Sequence, residues 1–198
     1  MKYLLCCCLA FFIQHAYAQI NITYLDSIQA YRSDYVQTHE VVGKEDRKFL
    51  QFFPIDPSYN VECRFEKYGD GSWFQMSTSG KMKQTYRKYG KLNFTIHDTI
   101  LTLFIYQSQN LLNTADKKNI LFIPFTDNTS GEECYGGGRY LDYIIEDIKN
   151  DRLIIDFNKA YNPYCAYTTG YNCPIPPNEN NLPVSIRAGE KLYRKKHP

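Results

Sequence analysis

Four histidines, three methionines and a single tryptophan, Trp73, are all that 198 residues supply of those types. The shortage of histidine bears on metal chemistry. A zinc centre built on Cys165 and Cys173 would need two more soft ligands beside them, and His39, His97 and His197 all lie elsewhere in the chain. No metal or other cofactor is expected. Charge of one sign is also missing: 23 Lys and Arg face 21 Asp and Glu, for a formal net charge of +2. A nearly neutral chain carries no electrostatic footprint for nucleic acid. Long apolar runs are absent except at the N-terminus. There Lys2 precedes the uncharged stretch Tyr3 to Ile13, and Ala16-Tyr17-Ala18 forms a small-x-small cleavage pattern before Gln19. That stretch is too short to cross a bilayer, which takes about 20 residues. No cysteine sits just after the cleavage point, which argues against a lipoprotein anchor. Residues 1–18 therefore read as a secretory signal peptide. Residues 19–198 read as one β-rich domain without a transmembrane segment, exported to the periplasm or secreted.

Cleavage would remove Cys6, Cys7 and Cys8 and leave four cysteines, Cys63, Cys134, Cys165 and Cys173. What the chain has in plenty is tyrosine, 18 of them beside 12 phenylalanines. With few Ala and Leu outside the leader, that composition favours sheet over helix. One amphipathic helix is expected from Ile22 to His39. Tyr24, Leu25, Ile28, Tyr31, Tyr35 and Val36 would form its apolar stripe, and Asp26, Gln29, Arg32 and Gln37 would face water. A short helical turn from Lys44 to Phe52 would close at Pro54. Five short strands should follow as a meander: Val61–Lys67, Trp73–Thr78, Lys81–Tyr89, Leu92–His97 and Ile100–Gln107. Turns would fall at Tyr68–Ser72, Ser79-Gly80, Gly90 and Asp98-Thr99. Ile120–Phe125 reads as a central strand, Arg139–Ile145 and Arg152–Phe157 as two more, and Val184–Ile186 as a last short one. The fold class is mainly β with a minor α component: an antiparallel barrel or sandwich, an N-terminal amphipathic helix and a long ordered C-terminal loop.

That loop, Asp156 to Pro183, holds two cysteines, five prolines, six asparagines and four tyrosines in 28 residues without helical or strand period. Loops of that length are usually functional or disordered, and its aromatics and cysteines speak against disorder. Its two cysteines invite a disulfide in an exported chain. Cys63 and Cys134 would form a second bridge, or Cys63 would stay buried and free. As a nucleophile, either loop cysteine would need a base, and His97 would serve only if folding brings it close. Asn158, Asn162 and Asn180 can satisfy backbone groups in turns, while the prolines make the loop rigid. It then serves as a pocket wall or as a plug closing a barrel end. A second long segment, Thr126 to Gly138, ends in three glycines. These do not open onto a helix as a phosphate loop does, and so allow a tight turn or a close approach to the other loop. Arg139 offers a planar fork for a carboxylate. It pairs with Asp156 or Glu179 inside the protein, or meets an anionic ligand. The basic run Lys81, Lys83, Arg87, Lys88 and Lys91 reads as the solvated face of an edge strand; the other reading is a patch for an anionic surface.

Several blocks resemble the family designated domain of unknown function 1684. They are Phe122–Asp127 with Thr129-Ser130-Gly131, Tyr135 with Gly138–Leu141, and Asp156–Tyr167. Cys173–Pro177, Glu179-Asn180, Leu182-Pro183 and Ala188-Gly189-Glu190 complete the resemblance, which covers most of the chain after the leader. The family is bacterial and archaeal and carries no assigned activity. Its pattern has cysteines at the positions of Cys165 and Cys173, also in members without an export signal. The resemblance thus sits less easily with a plain structural disulfide, because cytosolic thiols stay reduced. At the position of Cys134 other members generally show a polar residue.

These readings converge on an exported binding module for a small polar or anionic molecule, held between the 126–138 and 158–183 loops. Arg139 would take an anionic group, Asp156, Asn158, Asn162 and Asn180 would supply hydrogen bonds, and Tyr161 and Tyr164 apolar walls. Two alternatives stand beside it: a hydrolase-like or thiol-dependent enzyme using Cys165 or Cys173, and a structural envelope protein without a site.

Overall fold

The computed structural model describes residues 23–69 and 71–195. The expected leader at 1–18, Ile22 at the expected helix start, Asp70 in the first expected turn, and Lys196 and His197 near the C-terminus lie outside the described residues.

Residues 23–38 are helical (α1). Ile28, Arg32 and His39, on one face at helical spacing, are buried. Leu25 is 38 % exposed, whereas Arg32 is only 8 % exposed, so the expected stripe is rotated. Arg32 lies four residues after Ile28, and angle decides the face rather than charge. Its guanidinium stacks over Phe52 with 5.0 Å to the ring centroid and donates to the Phe53 carbonyl at 2.8 Å. The expected turn at Lys44–Phe52 is a 3-10 helix over Lys44–Phe49.

One eight-stranded sheet follows, built from β1 (Asn60–Lys67), β2 (Trp73–Met76), β3 (Gln84–Ile96), β4 (Thr99–Ser108), β5 (Ile120–Asp127), β6 (Arg139–Ile144), β7 (Arg152–Asp156) and β8 (Asn181–Leu182). The strand order is β6-β5-β4-β3-β1-β7, with β2 added to β3 and the short β8 to β5. All pairings are antiparallel except β5 with β8. The sheet curls into a half-barrel.

The meander has one strand fewer than the sequence suggests. Gly90 does not turn the chain; it sits inside β3, next to a register shift between Lys88 and Gly90. A Cβ there would lie 2.1 Å from the Phe65 ring and 3.0 Å from the Glu66 carbonyl oxygen. Glycine at 90 lets β1 and its aromatic ring close onto β3. The hairpin turn between β3 and β4 is His97-Asp98, with φ of 45° and 63°. Positive φ at both central residues is the geometry that matches strand twist in a two-residue hairpin.

Alternating residues of β1, β3, β4, β5, β6 and β7 fill the concave side. Leu92, Leu103, Ile105, Leu121, Ile123, Phe125 and Ile155 are at or near zero exposure, and Leu182, Ile186 and Ala188 of the C-terminal segment complete the core. A smaller aromatic layer forms around Met76, Tyr86 and Tyr106, flanked by Phe74, Phe104 and Phe122.

The basic run is not on an edge strand, because β3 pairs with β1, β2 and β4. Lys81 and Lys83 precede β3, and the other three charges are held locally. Lys88 pairs with Glu179 at 2.9 Å, Lys91 with Glu66 at 3.2 Å, and Arg87 donates to Gln107 beside the Trp73 ring.

Candidate functional site

β6 and β7 stand at the two ends of the strand order, and curling brings them face to face without pairing. The loop after β7 crosses this seam. Tyr161 and Tyr140 exchange backbone hydrogen bonds at 2.9 and 3.1 Å, and the Tyr143 hydroxyl accepts from the Asp156 amide at 2.8 Å. Beside these ties a cleft of about 600 Å³ remains, walled by Leu141, Asp142 and Tyr143 of β6, Leu153 and Ile154 of β7, and Tyr31 of α1.

Polar groups converge on it. Asp142 is reachable from solvent, and Tyr161 donates to its carboxylate at 2.6 Å. Desolvation by the surrounding protein raises the Asp142 carboxyl above its ordinary range, against the opposing effect of the Tyr161 bond. The same desolvation, with the neighbouring Asp142 charge, pushes the Tyr161 hydroxyl upward, and Tyr31 is pushed up to about 12 by burial and by Asp142. Lys149, Lys159 and Asp147 complete the rim. The cleft thus offers two carboxylates, two ammonium groups and phenolic hydroxyls against aromatic and aliphatic walls. Such a combination of apolar lining and a few fixed polar groups is typical of small-molecule sites.

Next to it lies a second hollow of about 310 Å³ that shares Tyr31 and Tyr161 with the cleft and adds Tyr35, Thr38, His39, Glu40 and Tyr164. His39 is buried, its Nδ1 accepts from the Val42 amide at 3.1 Å, and its ring meets Tyr167 edge-on at 4.7 Å. Burial and nearby Arg47 lower the His39 pKa. Deeper still is Glu190, with no exposed surface. Its carboxylate accepts from Tyr167 at 2.7 Å, from Tyr35 at 3.1 Å and from the Asn162 amide at 2.9 Å. Burial pushes it up to about 7 despite these donors.

Most polar residues expected to bind ligand are instead consumed by the fold. Arg139 has no exposed surface. Its partner is Asp127 at 2.7 Å, not Asp156 or Glu179, and it also donates to the carbonyls of Ile186 and Ala188. Asp156 accepts from Tyr24 and Asn158. Asn158, also without exposure, bonds both the amide and the carbonyl of Asp56 at 3.0 and 2.8 Å. Asn180 spans β4 and β5, taking the Phe104 amide at 2.8 Å and giving to the carbonyls of Phe104 and Pro124. Asn162 donates to the Lys191 carbonyl at 2.8 Å. These side chains act as staples because their loop runs over strands whose backbone groups need partners. Of the expected set, Tyr161 lines both hollows and Tyr164 the smaller one.

The two long loops do meet. Gly138, at φ 87°, would place a Cβ 2.6 Å from both the Phe125 carbonyl and Pro176. The cleft, however, takes no wall from 126–138; it opens at the strand seam. Cys165 and Cys173 form a disulfide, which holds the loop against the chain after β2 through Ser79 N–H to Cys173 O at 2.9 Å and Ile175 N–H to Ser77 O at 2.8 Å. Cys63 and Cys134 are buried and free, so the second bridge does not form. Burial pushes the Cys63 thiol up to about 12. His97 packs edge-on against Tyr59 in the β3–β4 turn. None of this supplies an activated thiol. Replacing both Cys165 and Cys173 by serine is expected to cost about 2.5 kcal/mol of stability in the chain-entropy model. Urea unfolding checks this, and titration of the native, unreduced protein should find no thiol in the loop; a reactive one there would reverse the assignment.

Sequence reasoning missed Asp142, Tyr31, His39 and Glu190 as site residues. Asp142 sits in an ordinary strand pattern, and no local signal says that β6 ends the sheet. Tyr31 lay on an apparent packing face, and His39 was weighed only as a metal ligand far from the cysteine pair. Glu190 alone had a hint, in the Ala188-Gly189-Glu190 block.

Fold and site define a class: a curled antiparallel half-barrel with a tyrosine-walled polar cleft at its open seam. The family described as Protein of unknown function (DUF1684) matches residues 46–191, and the chain belongs to that family. Among solved structures it is similar to the solution structure of an uncharacterized protein from Haloarcula marismortui. The two are 28 % identical with a TM-score of 0.67, over 90 % of this chain and 99 % of the other. No curated protein matches the chain. Among the described residues no helix is long and apolar enough to cross a membrane.

Proposed function

We propose that this is an exported module that binds a small polar molecule in the seam cleft. The carrying observation is the about 600 Å³ opening between β6 and β7, into which Asp142, Tyr161, Lys149 and Lys159 converge. The volume lies in the range of small-ligand sites. The balance of two accessible carboxylates, Asp142 and Asp147, with two ammonium groups suits a neutral polyhydroxylated or zwitterionic molecule better than a strongly charged one. Export is supported by Lys2, the apolar stretch and Ala16-Tyr17-Ala18, and the Cys165–Cys173 disulfide suits an oxidising compartment.

Titration calorimetry against monosaccharides, polyols and free amino acids tests the binding. At least one compound should bind, and Asp142→Asn should weaken it by about tenfold or more, the worth of a hydrogen bond to a charged group. A binder whose affinity is unchanged in both Asp142→Asn and Tyr161→Phe would place the site elsewhere. No binder at about 10 mM, a dissociation constant too weak for a built site, would end the reading. Mass analysis of the protein from a fractionated host should find a chain beginning at Gln19.

A further inference from the structure

The smaller hollow has a makeup that the polar-ligand reading does not use. Four tyrosine rings, Tyr31, Tyr35, Tyr161 and Tyr164, line it, and no lysine or arginine does. Its one carboxylate is Glu40, which accepts from the Tyr164 hydroxyl at 2.5 Å. Behind Tyr35 stands the buried Glu190 carboxylate, at 3.1 Å from the Tyr35 hydroxyl. Tyr35 and Tyr161 are tilted by 47° with centroids 6.3 Å apart, so their faces do not stack on one another. Aromatic faces carry negative electrostatic potential, and a ring of them with a carboxylate attracts a cation. The protein already uses one of these rings so, for Lys159 Nζ lies 5.5 Å from the Tyr31 centroid.

Which cation follows from what the walls lack. A bare ammonium keeps a tight hydration shell and would need several oxygen acceptors, whereas the walls offer mostly ring surface. An alkylated ammonium has an apolar skin, loses little on leaving water and fits ring faces. A hollow of about 310 Å³ has room for a trimethylammonium head with a short tail.

We propose that the hollow between α1 and the 161–164 segment is an aromatic cage for a small quaternary ammonium compound. It does not rest on the cleft reading, because Glu40, His39, Tyr35 and Tyr164 line the hollow and not the cleft.

Calorimetry on the mature protein with choline chloride, glycine betaine and tetramethylammonium chloride tests it, with ammonium chloride as the comparison. Choline, betaine and tetramethylammonium should each bind, and ammonium not measurably. Tyr164→Leu and Glu40→Gln should each weaken binding by about tenfold, with unchanged circular dichroism. Glu40→Gln alters only an exposed carboxylate, so it remains informative if Tyr164→Leu misfolds. Heats equal to those of ammonium, or choline and betaine affinities unaffected by Glu40→Gln, would overturn the cage.

Discussion

Arg139→Met is expected to destabilise the protein by about 3–5 kcal/mol, the usual cost of leaving one member of a buried ion pair alone. Both side chains of the Arg139–Asp127 pair have no exposed surface. Removing the guanidinium strips Asp127 of its charge partner and leaves the Ile186 and Ala188 carbonyls without a donor. Asp127 would keep Thr129 and the Ile186 amide, too few groups to offset a buried charge. For a chain of this size the loss corresponds to roughly 2–4 °C of Tm per kcal/mol. Loss should concentrate in the C-terminal segment, where hydrogen exchange of the 184–190 amides would report local opening. Asp127→Leu combined with Arg139→Met should recover part of the loss, since an apolar pair of similar volume is tolerated better than a widowed charge. A single variant within about 1 kcal/mol of wild type, the scale of an ordinary surface change, would show that the pair does not hold this segment.

Glu190 should make the protein less stable as pH rises through neutrality. Its carboxyl lies at about 7 in the folded chain, above its ordinary 4.5, chiefly through burial. Between those values the unfolded chain binds fewer protons than the folded one, so stability falls with increasing pH. The contribution is fully present below about pH 4.5 and is lost through pH 7, on the order of 3 kcal/mol in all. The groups facing the carboxylate are Tyr35 from α1, Tyr167 and Asn162 from the long loop; Arg139 reaches only the Glu190 backbone carbonyl, at 3.4 Å. Tyr35 and Tyr167 are both raised by burial and by this carboxylate, so they keep their protons throughout this range. Glu190→Gln cannot ionise. The stability difference between wild type and Glu190→Gln, measured by denaturant unfolding from about pH 4 to 8, should therefore shift against the wild type by that amount. A difference independent of pH would mean that Glu190 is ionised at both ends.

Much of the fold was legible because its signals are local. Alternation in Asn60–Lys67, the apolar stretch Ile120–Asp127 and the helical spacing of Ile28, Tyr31 and Tyr35 each report one element's own periodicity. Gly90 was misread because a glycine inside a strand and a glycine in a turn look alike in one dimension. Only the approach of Phe65 from β1 distinguishes them. The candidate site was less legible. The polar residues that stood out, Arg139, Asn158 and Asn180, do so because a loop without periodic hydrogen bonding needs side chains to tie it down. A polar residue that staples and one that binds have the same letter.

The residues by themselves determined a β-rich chain with one N-terminal helix and a rigid, cysteine-bearing loop, and they carried the marks of its family. Those properties follow from composition and from spacing within single elements. Which strands would end the sheet was decided only by tertiary structure. Curling sets β6 against β7, from either side of the turn at 150–151, and leaves them unpaired with α1 beside the gap. That closure, a sum of twist over every strand between them, turns Asp142 and Tyr161 into a cleft and buries Arg139 as a staple.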